Sequence, residues 1–232
     1  AKEAGWVGST DQIVIELYSE TLQKFRLAGQ GLYDGPQPTE EHHKERLKTY
    51  FDPLPFYYPP LEQERTDAKE YPFYAVTQRP MFMYHSWDSQ NSWLRQIMSQ
   101  NYLYMHRSKG EALGIKDFGW VWVESHNGRI RAQVKLMEGV NPETVWTWNA
   151  IAKQQGTWGL SDDANESQQG FLMNHLINEL LPGEVEAGGH RMTNSDPITG
   201  QAAWYDLRVK ITPVSDDDKD LTGQKLSWPR FD

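Results

Sequence analysis

Residues 120–136, WVWVESHNGRIRAQVKL, decide the fold. Apolar and polar side chains alternate along both halves of this stretch, the period expected of strands with one face on a core. The Asn127-Gly128 pair between the halves predicts a tight hairpin turned at those two residues. Outward from the hairpin, 101–107 (NYLYMHR) and 144–148 (TVWTW) read as further strands, and 202–211 (AAWYDLRVKI) as a closing one. Residues 108–115 (SKGEALGI) read as a short helix ended by Gly114. Many short strands with little helix between them argue against a doubly wound sheet and predict a mainly β chain with helices (α+β), built on a barrel.

A chain of 232 residues can bury one good core and carry an appendage. With 23 Lys and Arg against 32 Asp and Glu, the formal charge of −9 argues against nucleic acid as a partner. No apolar run approaches the roughly 20 residues of a membrane-spanning helix, so no direct membrane insertion is expected. There is no cysteine, which excludes disulfides, iron–sulfur ligation and a cysteine nucleophile in this chain. The opening AKEAGWVGS has neither an initiator Met nor a secretory signal pattern. The expectation is a processed or excised piece whose chemistry resides elsewhere.

Residues 9–33 read as a short strand followed by a helix, with Tyr18, Leu22 and Phe25 at helical spacing. From 33 to 69, Pro36, Pro38, Pro53, Pro55, Pro59 and Pro60 predict an extended proline-rich strap with room for one helical turn around 39–51. His42 and His43 in that segment read as solvent-facing rather than metal-binding. Residues 71–91, YPFYAVTQRPMFMYHSWDSQN, run from an apolar strand into a loop more polar than a turn requires, which suggests a polar, planar or phosphorylated guest. Residues 92–100 predict a helix burying Trp93, Leu94, Ile97 and Met98, and 166–182 a longer one with Phe171, Leu172, Leu176 and Leu180 on a stripe. Residues 193–201 read as a turn-rich loop. Trp120, Trp122, Trp146 and Trp148 alternate on paired strands, a pattern of barrel core or domain interface more than of a sugar platform. His106, Glu124 and His126 lack ligand spacing, and no metal site is assigned to them.

Three ordered stretches, 77–97, 106–146 and 194–211, resemble the C-terminal molybdopterin guanine dinucleotide-binding domain of molybdopterin oxidoreductase catalytic subunits, the dimethyl sulfoxide reductase superfamily. The phrases GVNPETVWTWNAIA, ESQQGFLMNHLI and TGQAAWYDLRV are most similar to the membrane-associated sulfite dehydrogenase group, related to polysulfide and thiosulfate reductases. The resemblance implies a double-psi β-barrel over 71–213, preceded by the strand, helix and strap of 1–70 and followed by a charged mobile tail, 214–232. It implies a bis-molybdopterin guanine dinucleotide carrying molybdenum or tungsten and shared with other domains, with no iron–sulfur cluster, metal ligand or catalytic residue in this chain. The implied partners are the N-terminal part of the same catalytic subunit, together with iron–sulfur electron-transfer and membrane anchor subunits. The implied place is the cytoplasmic side of a membrane complex, although periplasmic relatives leave that side open. The implied activity is oxidation of sulfite to sulfate with electrons passed towards quinone, and the isolated chain is expected to have no turnover. Reduction of polysulfide, thiosulfate or another oxoanion is the alternative within the family. A free-standing carbohydrate- or protein-binding barrel is the alternative from another class.

Candidate cofactor-binding residues come from the same resemblance. Thr77, Gln78 and Arg79 match the family's T-x-R turn, His85 and Ser86 its H-S step, and Asn91 the Asn after it. Trp87 departs from the small or polar residues usual there, and either covers the pterin or fills core. Asn174, beside His175, either meets the cofactor edge-on or caps the facing loop. Asn194, Gln201 and Ala202 sit where the family's last loop closes on the cofactor, largely through backbone groups.

Overall fold

The computed structural model describes residues 3, 17–57, 59–85, 87–98, 100–149, 151, 171–178, 194–202 and 206–215. These fall into two compact units, one made of residues up to 57 with 197–200, the other of the remainder. The strand expected ahead of residue 17 and nearly all of the charged tail lie outside the described residues.

In the first unit two helices pack together, α1 (Glu20–Gly29) and α2 (Glu41–Tyr50). Ser19 caps α1 by accepting from the Leu22 amide at 3.4 Å. At the other end Gly31 takes φ 73°, which lets the Leu32 amide reach back to the Leu27 carbonyl at 2.8 Å. The helices approach closely where Gly29 lacks a side chain; a Cβ there would lie 2.8 Å from that of Leu47. This region is not the extended strap that its prolines predict. Pro38 and Pro53 flank α2, but the ten residues of the helix contain no proline, so nothing interrupts its hydrogen bonds. A third helix, α3 (Leu61–Arg65), opens the second unit directly after Pro59-Pro60, where a helix start tolerates proline.

Six strands of the second unit close into a barrel: β1 (Phe73–Gln78), β2 (Leu103–His106), β3 (Trp120–Ser125), β4 (Gly128–Met137), β5 (Thr144–Trp148) and β6 (Arg208–Pro213), in the spatial order β1-β5-β2-β4-β3-β6. The β1/β5 and β2/β4 pairs are parallel and the other four antiparallel. One row from each strand fills the interior, including Ala75, Leu103, Met105, Val121, Val123, Ile130, Ala132, Val134, Val145 and Val209. Each such aliphatic side chain contributes about 1.5–3 kcal/mol by leaving water, apart from the smaller Ala residues. Closure also gives every strand two neighbours, so the sheet has no edge strand. The short helix α5 (Arg107–Ala112) comes after β2, and Gly114 beyond it takes φ 71°.

In and against the barrel three expectations change. The β3–β4 hairpin forms, but Ser125 faces Gly128 and leaves His126-Asn127 as its loop. The hydroxyl of Ser125 and the side-chain amide of Asn127 both donate to the Leu176 carbonyl, at 2.6 and 3.1 Å, and this tertiary anchor replaces the local Asn-Gly preference. The tryptophans alternate as read, yet on the outside of the barrel, because six strands leave room only for smaller side chains within. Arg131 and Arg129 lie over Trp120 and Trp122 at 4.7 and 4.1 Å, and Tyr104 stacks on Trp146 at 3.9 Å. One face of each of those rings is thus covered, which disfavours a sugar platform. Within 171–178 the predicted long helix is a single 3-10 turn, Met173–Leu176, whose Met173 and Leu176 are buried with Phe171 against the barrel core.

The helix after the polar loop, α4 (Ser92–Ile97), forms but does not bury the expected face. Trp93 is 77% exposed and Ile97 63%; only Leu94 and Met98 pack inward, on Met83 and Ile151. Strand directions gather the ends of β1, β3 and β5 and the starts of β2, β4 and β6 at one end of the barrel.

Candidate functional site

Two polar clusters occupy that end. The first joins the tips of β1 and β5. The Asn149 amide donates to the Gln78 carbonyl at 2.6 Å, which fixes where the chain leaves both strands. Exposed Arg79 comes next, with Nη2 3.0 Å from His85 Nε2, while the Asn149 side-chain amide (Nδ2) lies 3.4 Å from His85 Nδ1. His85 adopts φ 50°, a left-handed conformation uncommon for a residue other than glycine, and such strain concentrates at functional sites. The Tyr84 ring stands edge-on to His85 at 4.8 Å and 6.0 Å from the Arg79 guanidinium. Beneath the loop, Met83 and Ile151 form a small core with Phe82, Leu94, Met98 and Trp148. Asn101, buried beside Trp148, donates to its carbonyl at 2.8 Å and accepts from its amide at 3.3 Å, tying β5 to the start of β2.

The second cluster surrounds the β3–β4 loop, with Glu62 and Asn194 buried and His126 and Asp206 half-buried. Glu62 of α3, 1% exposed, accepts from the Asn194 side-chain amide at 2.5 Å through Oε2. Its Oε1 faces His126 Nδ1 at 3.7 Å, and neither atom has a hydrogen-bond partner. Burial, and then the nearby Asp206 carboxylate, push the Glu62 carboxyl up to about 7. Burial also raises Asp206 and lowers His126 and His175. Every shift disfavours charge, as expected of groups withdrawn from water.

The predicted residues distribute between these clusters. Thr77 is half-buried near the end of β1, and Gln78 is exposed at its tip. Gln78, Arg79 and His85 come together with Asn149, whereas Asn194 joins Glu62 and His126. Asn194 adjoins a small hairpin in which Ser195 bridges Ala202 and the Asp196 amide donates to the Gln201 carbonyl at 2.7 Å; Gln201 and Ala202 are exposed. Exposed Asn174 sits on the 3-10 turn, which the Leu176 carbonyl attaches to the β3–β4 loop. Asn91 caps α4, its Oδ1 accepting from the amides of Trp93 and Leu94 at 3.0 and 3.4 Å. Trp87 is exposed and does not fill core. Ser86 lies outside the described residues. His106 caps α5 by accepting from the Ser108 amide at 3.2 Å, and Glu124 pairs with Lys210 at 3.9 Å, so neither converges with His126.

Sequence reading missed Asn101, Asn149, Glu62 and Asp206. The two asparagines had a usable signal, each being the polar residue that borders an alternating run, before 102–106 and after 144–148. Glu62 had none, since LEQER has the composition of any solvated helix.

Residues 73–181 match the family described as "Molydopterin dinucleotide binding domain". Over all 232 residues the chain is 53% identical to a sulfite dehydrogenase subunit of Allochromatium vinosum, spanning 24% of that protein. It is 30% identical over 179 residues, 74% of its length, to "Dopamine dehydroxylase" of Eggerthella lenta, spanning 15% of that protein. The structure of acetylene hydratase from Pelobacter acetylenicus is similar in fold, with a TM-score of 0.54 at 22% identity over 72% of this chain and 22% of that one. The chain thus spans a quarter or less of the length of these relatives. Residues 73–181 are a molybdopterin dinucleotide-binding domain, and the chain belongs to the dimethyl sulfoxide reductase superfamily of molybdopterin oxidoreductases.

Proposed function

We propose that this chain is the cofactor-holding C-terminal part of the catalytic subunit of a molybdenum or tungsten oxidoreductase that oxidises sulfite to sulfate, passing electrons through iron–sulfur partners towards quinone. The substrate rests on the 53% identity to a sulfite dehydrogenase subunit across the whole chain. The cofactor role is carried by one observation: an exposed amide and guanidinium, Gln78 at the tip of β1 and Arg79 just beyond it, stand at the barrel end on a segment held by Asn149 and His85. That donor set suits a bis-molybdopterin guanine dinucleotide, whose pyrophosphates accept hydrogen bonds and whose ring edges need oriented polar partners. The bound metal–pterin would supply oxygen-atom and electron transfer, and the residues of this chain would bind and orient it.

Beside the donor set, Met81, Tyr84, Trp87, Trp93 and Ile97 expose large apolar surface along one short segment. Such a surface suits burial against the N-terminal part of the same subunit. The proposed assembly adds iron–sulfur and membrane anchor subunits on the cytoplasmic side, and the barrel connections are proposed to take the double-psi path. Arg79→Ala in the full-length subunit tests the cofactor role: bound pterin and metal should fall together. Unchanged cofactor content and sulfite turnover would remove Arg79 from the site. Turnover of sulfite by purified residues 1–232 alone would overturn the proposal that this piece only holds the cofactor.

A further inference from the structure

We propose that Asn149 and His85 are positioning residues that aim the Arg79 guanidinium, through one fixed imidazole tautomer. The proposal rests on the reading that Arg79 faces the cofactor. A guanidinium has only donors and stays protonated, so the 3.0 Å contact between Arg79 Nη2 and His85 Nε2 requires a lone pair on Nε2. The neutral ring then carries its proton on Nδ1. That proton points at the side-chain amide of Asn149, whose Nδ2 stands 3.4 Å away. Two donors cannot share the contact, so the amide turns by a half-rotation and presents Oδ1 to the Nδ1 proton, an exchange that leaves its shape unchanged.

The chain of bonds therefore runs in one direction, from guanidinium to imidazole to amide oxygen. The Asn149 backbone, bonded to the Gln78 carbonyl at 2.6 Å, anchors the far end to the tips of β1 and β5. The φ of 50° at His85 is the backbone cost of placing the ring between its two partners. Arg79 is exposed and without this support would sample many rotamers, so the latch gives a surface guanidinium one direction before any ligand arrives.

The test uses the full-length catalytic subunit with its partner subunits and two readouts. Cofactor retention is measured as bound pterin and metal after gel filtration. Release of the guanidinium is measured by phenylglyoxal labelling of Arg79 in cofactor-free subunit, resolved by peptide mass spectrometry. Asn149→Ala should lower retention about two- to tenfold, the scale of one lost neutral hydrogen bond, and should speed labelling of Arg79. In an Arg79→Ala background the same change should add little. Asn149→Asp, an acceptor only, should restore most of what Asn149→Ala loses in both readouts. Loss with Asn149→Asp equal to that with Asn149→Ala would overturn the tautomer and its direction. An Asn149→Ala effect undiminished in the Arg79→Ala background would show a general role at the strand tips and overturn the latch. If Arg79→Ala itself left retention unchanged, the cofactor reading would fall and the latch with it, whatever the labelling showed.

Discussion

The two polar clusters at the barrel end contrast in accessibility and in charge. Around Arg79 an exposed guanidinium rests on half-buried His85 and Asn149, the groups rich in donors and held by bonds to one another. Around Glu62 the carboxyl and its Asn194 donor are buried, a second carboxylate lies near, and two facing atoms lack hydrogen-bond partners. An exposed cation can keep its charge for a ligand at little cost, whereas a buried carboxyl loses charge to burial and serves mainly to fix its surroundings. The difference separates a surface built to receive something from a joint that fastens α3 and Asn194 to the β3–β4 loop.

The sharpest way to break this distinction is the pH dependence of Glu62. Its folded value, about 7, lies above the ordinary 4.5. Its contribution to stability is therefore complete below pH 4.5 and is lost as pH rises towards 7, by about 3 kcal/mol. Glu62→Gln should flatten that part of the stability curve and leave the variant the more stable form above pH 7, read by urea denaturation across pH. An unchanged slope would assign the pH dependence to other groups. Next in size, Asn194→Ala should cost about 1–3 kcal/mol by leaving the buried carboxyl without its donor, and the loss should grow with pH in the same titration.

Arg79→Ala should behave in the opposite way. Cofactor content of the intact subunit should fall about tenfold, while chain stability changes by no more than about 0.5 kcal/mol, as for an ordinary surface site. A large stability loss would erase the contrast between the clusters. The smallest effect is expected at Asn91, where Ala should cost about 1 kcal/mol by uncapping α4 and Asp should restore it. If Asn91→Asp regained stability but not cofactor content, Asn91 would belong with the exposed cluster as well as with the cap.

How far each region could be read depended on where its determinants lie. The alternation of 120–136 identified both strands correctly, because a period of two is a property of neighbouring residues. The same stretch misplaced the turn by one residue, since the anchor for Ser125 and Asn127 is Leu176, far along the chain. Apolar residues in 92–100 and 166–182 read as helix faces turned to a core. Trp93 and Ile97 are instead exposed, and the described part of the second segment, 171–178, makes a single 3-10 turn against the barrel core. In the candidate site, Arg79 and His85 were legible six residues apart in one loop, whereas Asn149 reaches them only through the pairing of β5 with β1.

The sequence by itself determined the strands, the chemistry of the polar loop after β1 and membership of a cofactor-binding family, since periodicity and motif are local. Only the tertiary structure decided which polar groups share the barrel end and which of them burial turns against charge. Those properties depend on burial and on partners as distant in the chain as Glu62 and Asn194, which no local pattern encodes.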